Sequence, residues 1–196
     1  MEKRHVTLKR KTTETDIALS FSLDGSGQYS VSTGIGFFDH MLELFAKHGG
    51  FDLTLTGTGD LKVDAHHTME DVGICLGEAI AQALGDKKGI RRYGFFILPM
   101  DEALARAVID LGGRPYLVLN AVLPPAETGA FPPELVSDFF KAVSDSGKLN
   151  LHLELLYGRN SHHCIEALFK AFARALAHAC AFHGDRGALP STKGLL

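Results

Sequence analysis

Alternating apolar and polar positions dominate the first thirty residues. Residues 5–10 (Val6, Leu8) and 16–23 (Ile17, Leu19, Phe21, Leu23) carry a period of two, which predicts two strands. Asp24-Gly25-Ser26-Gly27 reads as a turn, and a third short strand is expected over 28–32. The period then changes. Phe37, Met41, Leu44 and Phe45 recur at helical spacing, so a helix is predicted over 36–47, stopped by Gly49-Gly50. Residues 51–56 and 61–64 read as a hairpin about Gly57-Thr58-Gly59. A longer helix follows to about Leu84, ended by Gly85.

The second half repeats this order. Strands are expected over 93–98, 104–111 and 115–122, then a helix from Pro132-Pro133 to about Val143. A strand over 149–157 and a long helix over 164–182 complete it. Both halves spell β-β-β-α-β-α, with an extra strand in the first. The expectation is an α+β fold made by internal duplication, with residues 1–86 and 87–196 as the two repeats of one catalytic domain.

Bulk composition narrows the classes. The 196 residues are 45% hydrophobic and 22% charged, an ordinary globular balance that can bury a core. The formal charge of −3 gives no support for nucleic acid or an anionic membrane as partner. The start, Met1-Glu2-Lys3-Arg4-His5, has no apolar leader behind it, and no apolar run reaches membrane-spanning length. Cys75, Cys164 and Cys180 are odd in number and lack CxxC spacing, which points to a reduced, cytoplasmic chain.

The chemistry concentrates where the two longer helices begin. Asp64-Ala65-His66-His67-Thr68-Met69-Glu70-Asp71 is echoed by Asn160-Ser161-His162-His163-Cys164-Ile165-Glu166, and both read HHxxE. Residues three and four apart share a helix face, so each glutamate lies near its two histidines. Adjacent histidines diverge by roughly 100°, so one turn does not aim both imidazoles at one ion. Two copies facing each other would hold two ions. Imidazole with carboxylate and no thiolate suits Mn, Fe, Zn or Ni. Cys164, off the Glu-His face, reads as packing.

The duplication extends the set. His40 precedes Leu53 by 13 residues, and Asp138 precedes Leu151 by the same number, each from inside the shorter helix into the next strand. If His40 is a ligand, Asp138 is placed as its counterpart. Elsewhere, Arg92 and Arg114 stand beside glycines at strand starts, and Pro190-Ser191-Thr192-Lys193-Gly194 offers hydroxyls and a lysine. Arginine forks and hydroxyls suit a phosphate dianion. Neither a P-loop nor a GxGxxG fingerprint is present.

With these residues in view, the chain resembles the imidazoleglycerol-phosphate dehydratases of histidine biosynthesis over essentially its whole length. The carriers are Lys11-Thr12-Thr13-Glu14-Thr15, Gly36-Phe37-Phe38-Asp39-His40-Met41, both HHxxE stretches, Lys88-Gly89-Ile90-Arg91-Arg92, Gly113-Arg114-Pro115-Tyr116 and the 190–194 tail. The resemblance implies that each half is a four-stranded sheet backed by two helices, like the second domain of ribosomal protein S5. It implies two Mn2+ ions per active site and a 24-subunit homo-oligomer with active sites at subunit interfaces. Carried over by motif, His40, His66, His67, Glu70, His162, His163 and Glu166 would be metal ligands. Glu14, His40, Arg92, Arg114, Ser191 and Lys193 would contact a small phosphate substrate. Where many relatives have a histidine before the paired phenylalanines this chain has Asp138, which would ligate directly or through water, with altered metal preference.

The implied reaction converts D-erythro-imidazole glycerol phosphate to imidazole acetol phosphate and water. The proton to be lost sits on a carbon with no adjacent carbonyl. An imidazolate made accessible by Lewis-acidic metals would expel the neighbouring hydroxyl, leaving a diazafulvene-type intermediate that acidifies the next C–H. Glu14 is the first candidate for proton transfer and Asp101 the second; either could instead pair with the arginines. Two rival classes stand beside this reading: a dinuclear metallohydrolase, and a non-catalytic metal-binding shell protein.

Overall fold

The sheet-forming alternation becomes burial directly. In β2 (Thr15–Ser22) Thr15, Ile17, Leu19 and Phe21 point inward while Asp16 faces solvent. The computed structural model describes residues 4–124 and 131–194; the charged start at Met1-Glu2-Lys3 lies outside them. The first half comprises β1 (His5–Lys11), β2, β3 (Tyr29–Ser32), α1 (Gly36–Gly49), β4 (Asp52–Gly59) and α2 (His66–Leu84). The second comprises β5 (Tyr93–Met100), β6 (Ala103–Asp110), β7 (Tyr116–Asn120), α3 (Leu135–Gly147), β8 (Asn150–Tyr157) and α4 (Ser161–Cys180).

Each half closes a four-stranded mixed sheet of the same order, β1-β2-β4-β3 and β5-β6-β8-β7. In both, the third strand pairs parallel to the fourth and the other pairings are antiparallel. α1 and α2 cover the first sheet and α3 and α4 the second. The helices of the two halves then pack on each other, α2 against α3 and α1 against α4. This α+β duplication agrees with the sequence reading.

Two glycines on α2 set how close the halves come. A Cβ on Gly73 would lie 2.8 Å from the Phe139 carbonyl oxygen, and one on Gly77 would lie 2.7 Å from that of Val143. Beyond this contact phenylalanines join the two halves. Phe38 meets Phe139 edge-on at 5.2 Å across the halves, and Phe140 and Phe172 continue the stack. All three cysteines are buried and free.

One predicted element is absent. Residues 61–64 form no strand; Val63 N–H donates to the Asp60 carbonyl in a turn, and Val63 is 70% exposed. Gly57 and Gly59 are not a hairpin turn but lie inside β4, opposite Ile17 and Thr15. A Cβ on Gly59 would stand 2.1 Å from Thr68 Oγ1, where α2 approaches the sheet, and one on Gly57 would stand 2.9 Å from Ile17 Cδ1 of the paired strand. Loss of the extra strand makes the two halves match. No helix among the described residues is long and apolar enough to cross a membrane.

Candidate active site

Both HHxxE stretches begin helices, and local hydrogen bonds hold them there. Asn160 Oδ1 accepts from His163 N–H at 3.1 Å and caps α4. Asp64 Oδ1 accepts from His66 N–H at 2.7 Å at the start of α2. In α4, His162 Nε2 lies 3.1 Å from Glu166 Oε2, one turn on. α1 brings His40 Nε2 to 3.7 Å from the same oxygen. The three ligand atoms lie within 4.8 Å of one another. Donors around one ion at about 2.0–2.2 Å stand at most roughly 4.4 Å apart, so His40, His162 and Glu166 fit a divalent cation after a small closure. Glu166 is only 5% exposed, and Lys170 Nζ holds its other oxygen. Burial alone would raise the Glu166 pKa, but Lys170 and His162 overcome it and leave the group below its ordinary value.

The other half mirrors this crossing. His66 Nδ1 lies 3.8 Å from Asp138 Oδ2, on α3. Each motif therefore faces the shorter helix of the other half, not the other motif as the sequence reading pictured. Asp138 stands toward His66 as His40 stands toward His162. Glu70 is exposed beside this pair and does not close a third contact with it.

The second histidine of each motif points elsewhere. His67 Nδ1 donates to Asp60 at 3.0 Å, with Glu14 Oε2 at 3.8 Å. His163 Nδ1 donates to Glu102 Oε2 at 2.7 Å, and its Nε2 lies 3.7 Å from Asp101 Oδ2. Asp101 adopts φ +46° at the β5–β6 turn. The hydrogen bonds that His67 and His163 donate to Asp60 and Glu102 push both imidazoles above their ordinary pKa. His163, with the Asn160 and Arg159 amides, holds Glu102 down at about 2. Glu14 and Asp101, the two candidate proton carriers, thus lie beside histidines, and among the ion pairs of the described residues neither is joined to Arg92 or Arg114. Sequence reading missed Glu102 and Asp60. The repeat contains a signal for the first: Glu102 follows Glu14 by 88 positions, the offset that also relates Phe21 to Ile109 on paired strands.

The anion-binding candidates gather at a different place. Arg92, Arg114, Ser191 and Lys193 line one cavity of about 400 Å3. Arg92 is fixed by Asp110, Nε to Oδ1 at 2.7 Å and Nη2 to Oδ2 at 3.2 Å, and donates Nη1 to the Pro190 carbonyl at 2.9 Å. Asp110, also missed from sequence, raises the Arg92 pKa and aims its fork. Ser191 Oγ accepts from Lys193 N–H at 3.2 Å and shapes the tail.

The two regions occupy opposite poles of the chain. β5 and β6 run eight residues from the Asp101–Glu102 turn to the Arg92–Asp110 end, roughly 25 Å at the usual rise. α4 gives the same measure. Its first turn carries His163, while the Ala179 carbonyl near its end accepts from Arg92 N–H, about 24 Å along the axis. Lys87, just past α2, donates to Leu111 beside the anion pocket, so the first motif is at the far pole too.

Comparison with known proteins matches residues 33–176 to the family model described as imidazoleglycerol-phosphate dehydratase. The chain is 56% identical over 193 residues to the imidazoleglycerol-phosphate dehydratase of Acetivibrio thermocellus, covering 98% of this chain and 99% of that one. It is 55% identical over 193 residues to that of Lacticaseibacillus casei, covering 98% and 100%. The crystal structure of the Staphylococcus aureus enzyme superposes with a TM-score of 0.83 at 42% identity, covering 91% of this chain and 99% of that one. The Pyrococcus furiosus enzyme, solved in complex with (S)-C348, gives a TM-score of 0.83 at 34% identity, covering 96% and 100%.

Proposed function

The chain belongs to the imidazoleglycerol-phosphate dehydratase family of hydro-lyases, and from that premise we propose that it dehydrates imidazoleglycerol phosphate in histidine biosynthesis on a dinuclear metal site shared between subunits. The gathering of His40, His162 and Glu166 carries the metal part of this reading. Bound there and beside His66, Glu70 and Asp138, two Mn2+ ions would act as Lewis acids that acidify the substrate imidazole.

The protein's own groups do the rest. Arg114, Ser191 and Lys193, with Arg92 held by Asp110, bind the phosphate dianion and spend remote binding energy on orientation. The hydroxyl on the ring-adjacent carbon leaves as water, and the C–H bond on the next carbon breaks. The resulting enol takes a proton at the ring-adjacent carbon and becomes the ketone. Glu14, beside His67, is the first candidate to carry these protons, and Asp101, beside His163, is the second.

The separation of the poles supports a shared site. A ring, three carbons and a phosphate span less than half of roughly 25 Å, so the motifs and the anion pocket of one chain do not meet on one substrate. His67 and His163 turn away from their own clusters toward Asp60 and Glu102, which supports a role for them as ligands to clusters on neighbouring subunits. The outer face of the second sheet exposes Tyr93, Phe95, Ile97 and Val108, a surface suited to self-association. A 24-subunit assembly in the reducing cytoplasm accords with this and with the free cysteines.

The test is turnover by metal-stripped protein as manganese is restored in steps. Ketone should appear only as roughly two ions per chain return. Phosphate release without ketone would favour the hydrolase reading. Metal uptake without turnover of either kind would favour a shell protein.

A further inference from the structure

The two halves repeat the metal-facing residues but not their surroundings. In one, Lys170, one turn further along α4 and only 14% exposed, holds Glu166. The corresponding position one turn beyond Glu70 is Ile74. Among the described residues no lysine or arginine pairs with Glu70 or Asp138. The second difference is Asp138 itself, which faces His66 where the repeat has His40 facing His162.

These two differences act in one direction. In the His40 half-site the charges of Glu166 and Lys170 cancel, and two neutral imidazoles remain as donors. In the Asp138 half-site two carboxylates accompany a single imidazole, with no lysine in the matching place. The ligand shells therefore differ by one negative charge and one nitrogen-for-oxygen exchange, and Lys170 beside Glu166 widens the charge difference between the two half-sites to two. Added negative charge strengthens attraction for any divalent cation. Oxygen-rich shells suit Mn2+, whereas imidazole-rich shells suit Zn2+.

Resting on the dinuclear reading above, we infer that the two metal positions are inequivalent: the half-site of His66, Glu70 and Asp138 takes Mn2+ first, and that of His40, His162 and Glu166 is the more selective for Zn2+. Asp138 and Lys170 are the residues that set the difference. Neither has to touch the substrate for this role. Partial manganese loading would then populate one defined position of each pair, and not a statistical mixture of both.

The experiment is anomalous diffraction from crystals of the metal-stripped full-length protein given one equivalent of Mn2+ per chain. The manganese peak beside Asp138 is expected to exceed that beside His40 by at least about threefold. With one equivalent of Zn2+ the ratio should fall or reverse. Asp138→His, a change at a half-exposed position that restores the residue type found at His40, should bring the manganese ratio toward one. Equal peaks in the unmodified protein would overturn the inequivalence and leave the dinuclear site standing. A ratio unmoved by Asp138→His would remove Asp138 from the cause and overturn the proposal as stated. No peak at either half-site would overturn both this inference and the metal reading beneath it.

Discussion

Glu102 Oε2 accepts a hydrogen bond from His163 Nδ1 at 2.7 Å. The bond fixes which ring nitrogen carries hydrogen, and so leaves the Nε2 lone pair available to a metal ion. Asp60 does the same for His67 at 3.0 Å. Glu102 is itself held by the Arg159 and Asn160 amides, so the ring is anchored to the start of α4 through a rigid chain of bonds.

Glu102→Ala should therefore weaken manganese binding by about 10–100-fold, the usual cost of removing a carboxylate behind a ligating histidine. Glu102→Gln, whose amide oxygen still accepts from Nδ1, should retain much of the affinity. Equilibrium dialysis of the two variants separates orientation from charge. Unchanged affinity in the alanine variant would show that His163 needs no support.

At the anion pole, Asp110→Asn removes the charge that aims Arg92. The expected outcome is a rise in KM of up to about tenfold, equivalent to losing roughly one charge-assisted hydrogen bond, with metal content unchanged. Inhibition by inorganic phosphate should weaken in parallel. A fall in kcat with KM intact would instead place Arg92 at the chemical step.

Gly73→Ala sets two effects against each other. Alanine favours a helix interior over glycine by about 1 kcal/mol. The added Cβ would stand 2.8 Å from the Phe139 backbone oxygen and 2.9 Å from Ala142 Cβ, and overpacking costs about 1–3 kcal/mol. A backbone oxygen does not rotate aside, so the clash wins, and thermal melting should fall by a few degrees. A higher melting temperature would mean that α3 can draw back from α2.

Acid stability should depend on Asp24. Arg4 Nε and Nη2 bond both Asp24 oxygens, while Nη1 reaches the Cys180 carbonyl, tying the first strand to the end of α4. The Arg4 hydrogen bond holds the Asp24 pKa below its ordinary value. A depressed folded pKa contributes stability that is present above the unfolded value and lost as pH falls through the folded one. Asp24→Asn should cost about 1 kcal/mol near pH 7, discounted for its partial exposure, and the gap should start to narrow below about pH 4. Denaturant melts of both proteins at pH 7 and pH 3 check this; a gap of undiminished size at pH 3 assigns the loss to packing.

Much of this architecture was legible because the signals were periodic or repeated. Ile17, Leu19 and Phe21 announced a strand by alternation, and two HHxxE stretches announced paired helix starts. The 13-residue spacing makes Asp138 the counterpart of His40, and the two stand in matching places against His66 and His162. What failed was local and depended on neighbours distant in sequence. Gly57 and Gly59 looked like a turn, but Thr68 and Ile17 crowd them inside a strand. Leu61 and Val63 looked like strand residues, but no strand pairs with them. Asp60, Glu102 and Asp110 are ordinary acids until the fold sets a histidine or an arginine against each. The crossing of α1 to α4 and of α2 to α3 follows from packing between halves, and no pattern within either half contains it.

The polar separation yields the sharpest test of a shared site. His163→Ala breaks the motif end of a chain, and Arg114→Ala breaks its anion pocket. If each active site takes its histidine from one chain and its arginine from another, neither variant is active alone. Mixing them through dissociation and reassembly gives some sites an intact histidine from the arginine variant and an intact arginine from the histidine variant. Random exchange in equal amounts should restore up to about a quarter of the original turnover. If both groups came from the same chain, every site in the mixture would lack one of them and activity would stay at the level of the separate variants. Because α4 alone sets the Arg92 end about 24 Å from His163, the fold favours recovery. The size of that recovery, read by ketone formation against unmixed controls, counts how often two chains must meet to make one site.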